Sequence, residues 1–147
     1  MINETSDKNN IYHEEHILLG NKNSKNQKQL INYKFEGNSY SINFNGQLYN
    51  AKDLIEELSD VGFSFEGNSD TEVLLKGYIH FGKDVLNKLN GAFGFAIWNK
   101  NKQELFFARD HFGVKPFYYS INENNFIFAS EIKSILKFPR NWVKNRQ

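Results

Sequence analysis

The clearest hydrophobic pattern in the first third of the chain is an alternation that is typical of a half-buried strand. Tyr40, Ile42 and Phe44 are apolar and alternate with polar neighbours, so their side chains would lie on one face of a sheet. The Asn-Gly pair that follows Phe44 is a turn signal, and we expect the strand to break there. A shorter apolar run at 17–19 predicts one further strand upstream.

The middle of the chain changes from the strand period to a helical period. A first helix is predicted to begin after Asn50, an expected N-cap that is followed three positions later by Asp53. Its apolar face would be Leu54, Ile55, Leu58 and Val61. A second helix is predicted to begin at Ser69, with Glu72 at the spacing of a capping box. Its buried residues would be Val73, Leu74, Tyr78 and Phe81. A short third helix is predicted at 85–89.

The last third of the chain predicts two antiparallel hairpins and a short helix. The predicted strands are 92–98, 105–108, 117–120 and 126–129, paired through polar turns. A helix at 131–136 would follow and end before Pro139. Strands, then helices, then strands predict an α+β domain with helices packed on a largely antiparallel sheet.

Composition narrows the possible functions. The 147 residues include 18 basic and 17 acidic side chains, and this balance excludes a strongly basic nucleic-acid clamp. The chain has no cysteine, and therefore no disulfide, thiol nucleophile or Cys-ligated zinc of its own. No stretch approaches the ~20 apolar residues of a membrane span, and the N-terminus lacks a signal-peptide pattern. We expect a cytoplasmic protein with no cofactor and no nucleic-acid or membrane partner.

Two polar segments have simple structural explanations. His13 and His16 lie in a predicted loop and strand start, not on a helix at metal-ligand spacing, so no metal site is expected. The lysines of 21–28 lack aromatic or arginine neighbours, which favours a flexible solvated loop.

The predicted boundaries are a flexible segment at 1–10, a domain at 11–139 and a tail at 140–147.

Five short motifs resemble those of a known family in their order and spacing. They are NGQLYN at 45–50, SDTE at 69–72, LNGAFGFAIW at 89–98, ARDHFGVKP at 108–116 and SEIK at 130–133. Together they resemble the glutaminase domain of glutamine-hydrolysing asparagine synthetases over 11–139. The resemblance implies a class II glutamine amidotransferase of the N-terminal-nucleophile hydrolase fold, an αββα sandwich of two antiparallel sheets.

The resemblance also implies a reaction, but several residues that the family uses for it are missing from this chain. In the family, an N-terminal cysteine attacks the glutamine side-chain amide, with its own α-amino group as base, and ammonia passes to a synthetase domain. Here the opening Cys-Gly-Ile strand and the following Arg-Gly-Pro-Asp segment are missing, so we expect the first strand to be missing or replaced. We also expect that the synthetase domain that would follow Pro139 is absent. Asn23 stands where an arginine binds the substrate α-carboxylate, and Gln47 replaces the acid of Asn-Gly-Glu.

Part of the glutamine pocket is retained at matching positions. Asn45 and the Gly46 N–H match the oxyanion hole, while Gln47 and Asp70 match glutamine-binding positions. Asn45 and Gly46 could instead form a strand-to-loop turn, and Asp70 could be only the polar first turn of its helix.

The 108–116 segment predicts a strand end, a turn and a strand start, with no catalytic role of its own. Arg109 or Lys115 is expected to pair with Asp110 or with a helix carbonyl.

The resulting hypothesis is a glutaminase-like domain that is catalytically inactive and acts, if at all, as a docking or regulatory module. It would bind L-glutamine weakly and associate with a synthetase domain or with itself, because a missing strand leaves sheet edges unpaired. The alternative is an active glutaminase for asparagine biosynthesis whose Cys strand comes from another chain or is lost from this polypeptide. Two further alternatives stay open: Thr5 or Ser6 as an N-terminal nucleophile after self-cleavage, and a gene fragment without a role.

Overall fold

The computed structural model describes residues 11–14, 17–20, 30–121 and 125–137, in which eight strands, three α-helices and one 3₁₀ helix form. The strands are β1 (Ile11–Glu14), β2 (Ile17–Gly20), β3 (Leu30–Phe35), β4 (Asn38–Leu48), β5 (Gly91–Asn99), β6 (Glu104–Arg109), β7 (Tyr118–Ile121) and β8 (Phe126–Ala129). The helices are α1 (Ala51–Asp60), α2 (Asp70–Phe81), the 3₁₀ helix Gly82–Lys88 and α3 (Ile132–Leu136). Strands thus precede and follow a group of helices, as the periodicity predicts. The segments predicted at 1–10 and 140–147 lie outside the described residues.

A four-stranded antiparallel sheet with the order β3-β4-β5-β6 forms the centre of the described structure. Its longest ladder joins β4 to β5 and runs from Tyr40 opposite Asn99 to Leu48 opposite Gly91. β1 pairs with β2, and β7 pairs with β8, in two separate antiparallel sheets. Every described strand pair is therefore antiparallel, as the hairpin patterns predict.

One face of the central sheet is buried under the helices. Phe44 of β4 and Phe95 of β5 lie opposite each other and are fully buried in a cluster that also contains Val73 and Leu74 of α2. Burial of each large apolar side chain stabilises the fold by about 1.5–3 kcal/mol. The alternating positions of the strands and one face of α2 therefore form a single hydrophobic core.

The opposite face of the sheet is covered in part by the β7–β8 hairpin. Phe107 of β6 stacks on Phe117, with 5.5 Å between ring centroids, and packs against Phe126 of β8 at 4.8 Å. Gly94 of β5 adjoins the same cluster, since a Cβ placed there would lie 3.6 Å from the Phe117 ring. A layer of helices and a second layer of strands thus lie on opposite faces of the central sheet.

Two predicted element boundaries differ from the structure by more than one residue. β4 does not break at Asn45 and Gly46 but continues to Leu48, because its ladder with β5 extends that far. The third helix is a 3₁₀ helix at Gly82–Lys88, earlier than the predicted 85–89, since Gly82 ends α2 with a φ of 61° and the chain turns at once into the new helix. No helix in the described ranges is long and apolar enough to cross a membrane.

The capping box predicted at the start of α2 does not form. Ser69 lies at the N-cap, but its side chain makes no capping hydrogen bond. Glu72 instead accepts hydrogen bonds from the Lys76 ammonium at 2.6 Å and from the Glu66 N–H at 3.2 Å. Lys76 is buried and also donates to the Ser64 carbonyl, so these contacts connect the α1–α2 loop to α2.

Candidate functional site

The four pocket residues predicted from the sequence lie at or beside the C-terminal end of β4. Asn45 and Gly46 are half-buried, Gln47 is exposed, and Asp70 is the first residue of α2. Oδ2 of Asp70 accepts a hydrogen bond from the Leu48 N–H at 2.8 Å. The fold therefore brings a carboxylate from 22 positions further along the chain to the strand segment that contains the other three.

The direction of the Leu48 N–H shows where the neighbouring main-chain groups point. In an antiparallel ladder, the main-chain groups of residues i and i+2 point to the same side of the strand. The Leu48 N–H points towards Asp70 and away from β5, so the Gly46 N–H also points away from β5. β3 pairs with β4 only as far as Asn43, so none of the described strands pairs with the edge to which the Gly46 N–H points.

Gly46 is required by a close approach of two strands. It has a φ of 145°, and a Cβ at this position would lie 2.1 Å from the Ala92 carbonyl oxygen and 2.7 Å from the Phe93 Cα. Gly91 is equally constrained, since its Cβ would lie 2.2 Å from the Gln47 carbonyl oxygen. The interpretation of Asn45 and Gly46 as a strand-to-loop turn is wrong, because both residues lie within the ladder.

Asn50 holds the segment that follows β4. Although it occupies the N-cap position of α1, its side chain does not cap that helix. Its Oδ1 accepts from the Asn90 N–H at 3.0 Å, and its Nδ2 donates to the Lys88 carbonyl at 2.7 Å. The predicted capping role is wrong because the amide is used to join β4 to the start of β5.

Asp110 binds main-chain N–H groups of this region, a role that the sequence motifs do not predict. It is buried, and its carboxylate accepts four main-chain hydrogen bonds. Oδ1 accepts from the N–H groups of Phe112 (3.0 Å) and Val114 (3.1 Å), and Oδ2 accepts from those of Phe93 (3.1 Å) and Lys115 (3.3 Å). The signal in the sequence was an Asp at a strand end with a Gly three positions later, a pattern typical of a side-chain-stabilised turn.

The expected pairing of Asp110 with Arg109 or Lys115 is wrong, since no ion pair joins it to either side chain within the described ranges. Burial by itself raises the pKa of Asp110, but the four N–H groups favour the ionised form more strongly and hold the pKa below its usual range. The charge is thus stabilised by main-chain dipoles instead of a cation.

The lowered pKa of Asp110 predicts acid sensitivity. The pKa of an Asp carboxyl in the unfolded state is about 3.9, so near that pH the folded state binds fewer protons than the unfolded state. The stabilisation by ionised Asp110 is therefore present above the unfolded-state pKa. It is lost as the pH falls through the lower folded-state pKa. We expect the urea midpoint to fall more steeply from about pH 5 to about pH 3 in the wild type than in Asp110→Asn. Parallel pH profiles for the two proteins would contradict this assignment.

Several sequence predictions concern residues that the structure does not describe. Asn23, Thr5, Ser6 and His16 all lie outside the described residues. Within the described ranges, no group of three or more His, Cys, Asp or Glu side chains could hold a metal ion.

A family model described as a glutamine amidotransferase domain matches residues 1–146 of the chain. The chain therefore belongs to the family of glutamine amidotransferase domains. The match confirms the resemblance that the five motifs indicate.

Two proteins with high sequence identity to the chain are asparagine synthetases. The chain is 44% identical over 138 residues to the glutamine-hydrolyzing asparagine synthetase 3 of Bacillus subtilis (strain 168), a match that covers 90% of this chain and 22% of that protein. It is 40% identical over 141 residues to asparagine synthetase 1 of the same organism, covering 92% of this chain and 22% of the relative. The chain thus spans about a fifth of the length of these relatives.

Solved structures with the same architecture support the fold assignment. The glutamine phosphoribosylpyrophosphate amidotransferase from B. subtilis, in complex with ADP and GMP, matches with a TM-score of 0.65 and 27% identity, over 76% of this chain and 26% of that one. A structure described as the allosteric regulatory enzyme of purine biosynthesis matches with a TM-score of 0.63 and 28% identity, over 79% of this chain and 26% of that one. The fold is of the N-terminal-nucleophile hydrolase type, as predicted.

Proposed function

We propose that the chain is the glutamine-binding part of an asparagine synthetase-type glutaminase domain, and that it does not hydrolyse glutamine by itself. The contact between Asp70 and the Leu48 N–H carries this proposal, because it joins an acidic group to the strand end that contains Asn45 and Gly46. The lack of turnover rests on the sequence, which has no cysteine to act as the nucleophile.

Each retained residue has a role in this proposal that its chemistry allows. Oδ2 of Asp70 is used by Leu48, while Oδ1 has no hydrogen-bond partner in the described part of the chain and is suited to the substrate α-ammonium. The Asn45 side chain and the Gly46 N–H would donate to the side-chain carbonyl of glutamine. Gln47 is neutral where the family has an acid, so binding would be weak.

We propose that any docking or regulatory role of the chain involves a synthetase domain or a second copy of the chain, since the relatives that it matches over 90% and 92% of its length are asparagine synthetases. Light scattering tests self-association: a dimer or larger species is expected, and a monomer at high concentration would oppose self-association.

Binding is tested by titrating the ¹⁵N-labelled protein with L-glutamine. We expect saturable amide shifts at Leu48 and Asp70, and at least a roughly tenfold weaker affinity in Asp70→Asn, since a hydrogen bond to a charged group is worth about 1.5–3 kcal/mol. Asp60→Asn, which changes an exposed carboxylate at the end of α1, is the matched control and should bind as the wild type does. Shifts that persist unchanged in Asp70→Asn would refute the assignment.

Activity is tested separately by glutamate release from the purified chain. No turnover is expected, and no glutamyl adduct should form on any side chain or on the first residue. Turnover by the chain alone would overturn the inactive assignment, whereas turnover only after addition of a chain with a Cys-Gly-Ile N-terminus would favour the active alternative.

A further inference from the structure

The buried carboxylate of Asp110 lies one strand away from the proposed binding residues. We propose that Asp110 is a positioning residue which, through Phe93, sets the place of the Gly46 N–H and so makes the site selective for ligands with a γ-carboxylate or γ-amide. This inference rests on the proposed function and adds a determinant of ligand specificity to it.

Asp110 is attached to Phe93 by two hydrogen bonds. The Asp110 N–H donates to the Phe93 carbonyl at 2.9 Å, and the Phe93 N–H donates to Asp110 Oδ2 at 3.1 Å. The regular β5–β6 ladder ends one position earlier, with Gly94 opposite Arg109. The side chain of Asp110 thus supplies the next acceptor of the ladder and holds both polar main-chain groups of Phe93.

Phe93 in turn lies directly against Gly46. The N–H and C=O of Phe93 form their hydrogen bonds with Asp110, on the β6 side, so Phe93 and Gly46 are a pair without mutual hydrogen bonds. In such non-hydrogen-bonded pairs two antiparallel strands approach most closely. The position of a Cβ on Gly46 would be only 2.7 Å from the Phe93 Cα, so the two backbones are in contact. A displacement of Phe93 therefore displaces Gly46.

The side chain of Phe93 restricts this displacement further. It is 5% exposed and its ring packs against the ring of Phe95, with 5.8 Å between centroids. Phe93 is thus fixed by the core on one side and by Asp110 on the other. Loss of the Asp110 carboxylate would release only the second constraint, so the strand could shift while the core stays packed.

Gly46 and Asp70 would bind opposite ends of the ligand. Gly46 N–H faces the same edge as the Leu48 N–H, which is already bound to Asp70. Asp70 would contact the α-ammonium, and the Gly46 N–H would contact the γ-substituent. A change at Asp110 should therefore affect recognition of the γ-substituent and leave recognition of the ammonium intact.

The test compares two ligands that differ only at this substituent. L-glutamate has a γ-carboxylate, and L-norvaline has a methyl group in its place. In NMR titrations, the wild-type chain should bind L-glutamate more tightly than L-norvaline. Asp110→Asn should lower the affinity for L-glutamate at least about tenfold, the equivalent of one hydrogen bond to a charged group. Its affinity for L-norvaline should equal that of the wild type. Asp110→Glu, which keeps a carboxylate acceptor but moves it by one methylene, is the second variant if Asp110→Asn does not fold.

Gly113→Ala is the matched control for this experiment. Gly113 has a φ of 61°, and a Cβ there would lie 3.3 Å from the guanidinium carbon of Arg109, so the substitution strains the same turn without removing the Phe93 hydrogen bonds. It should retain the wild-type preference for L-glutamate. Equal losses for both ligands in Asp110→Asn, or no loss, would overturn the inference alone. Absence of saturable L-glutamate binding in a wild-type chain that does bind L-glutamine would also overturn the inference alone, whereas absence of saturable L-glutamine binding would overturn the proposed function together with it.

Discussion

Replacement of Gly46 by alanine is expected to destabilise the fold by more than about 4 kcal/mol, and in a domain of ordinary stability to prevent folding. The new Cβ would lie 2.1 Å from the Ala92 carbonyl oxygen, and the φ of 145° is unfavourable for any residue with a side chain. Both conflicts involve main-chain atoms of the central ladder, so no side-chain rotation relieves them. Urea unfolding followed by circular dichroism measures the effect.

Gly67→Ala is the control for the Gly46 prediction. Gly67 is exposed, has no atom within 4 Å of its Cβ position and is not among the residues with positive φ, so alanine there should leave stability within about 0.5 kcal/mol. If Gly46→Ala had the same urea midpoint as the wild type, β4 and β5 would not approach each other at Gly46 as closely as the structure shows.

Asp110→Ala has the second largest expected effect, a loss of at least about 4 kcal/mol in the free energy of unfolding. Four main-chain N–H groups lose their acceptor, and each buried unsatisfied donor costs about 1–3 kcal/mol. The affected groups belong to Phe93, Phe112, Val114 and Lys115. Water can reach part of the turn, since Phe112 is 93% exposed, so the lower part of this cost applies there. Urea unfolding at neutral pH checks the prediction.

The Asp110 result is compared with that of an exposed carboxylate. Asp60→Ala, at the end of α1, should change stability by no more than about 0.5 kcal/mol. If Asp110→Ala were as stable as Asp60→Ala, the four hydrogen bonds would contribute nothing to folding, and the positioning role proposed for Asp110 would lose its structural basis.

The motifs predicted the family because they contain residues whose spacing is maintained by the fold. Residues 45–48 of NGQLYN and 91–98 of LNGAFGFAIW, for example, lie in the paired strands β4 and β5, with Gly46 opposite Phe93. The family match over 1–146 confirms what these motifs indicate. Ligand binding by Asn45 and Gly46 stays a prediction.

Two of the errors occur where a long-range contact competes with a local preference. An Asn-Gly pair favours a turn locally, but the ladder with β5 keeps Gly46 in a strand. Glu72 is a separate case, since its carboxylate binds Lys76 only four positions away. Asn50 has good capping chemistry, yet its side chain accepts a hydrogen bond from the Asn90 N–H instead. Sequence patterns describe the local preference alone, and they contain no information about a partner 40 positions away.

The sequence by itself determined the order of the helices and of the strands from β4 onward, since periods of two and 3.6 residues record which positions face a core. It also determined that no thiol is available in this chain. Only the tertiary structure decided that Asp70 meets Leu48, and that Asp110 holds Phe93 against Gly46. These contacts join residues distant in sequence, and their geometry depends on the ladder register and on the docking of α2, which no local pattern specifies.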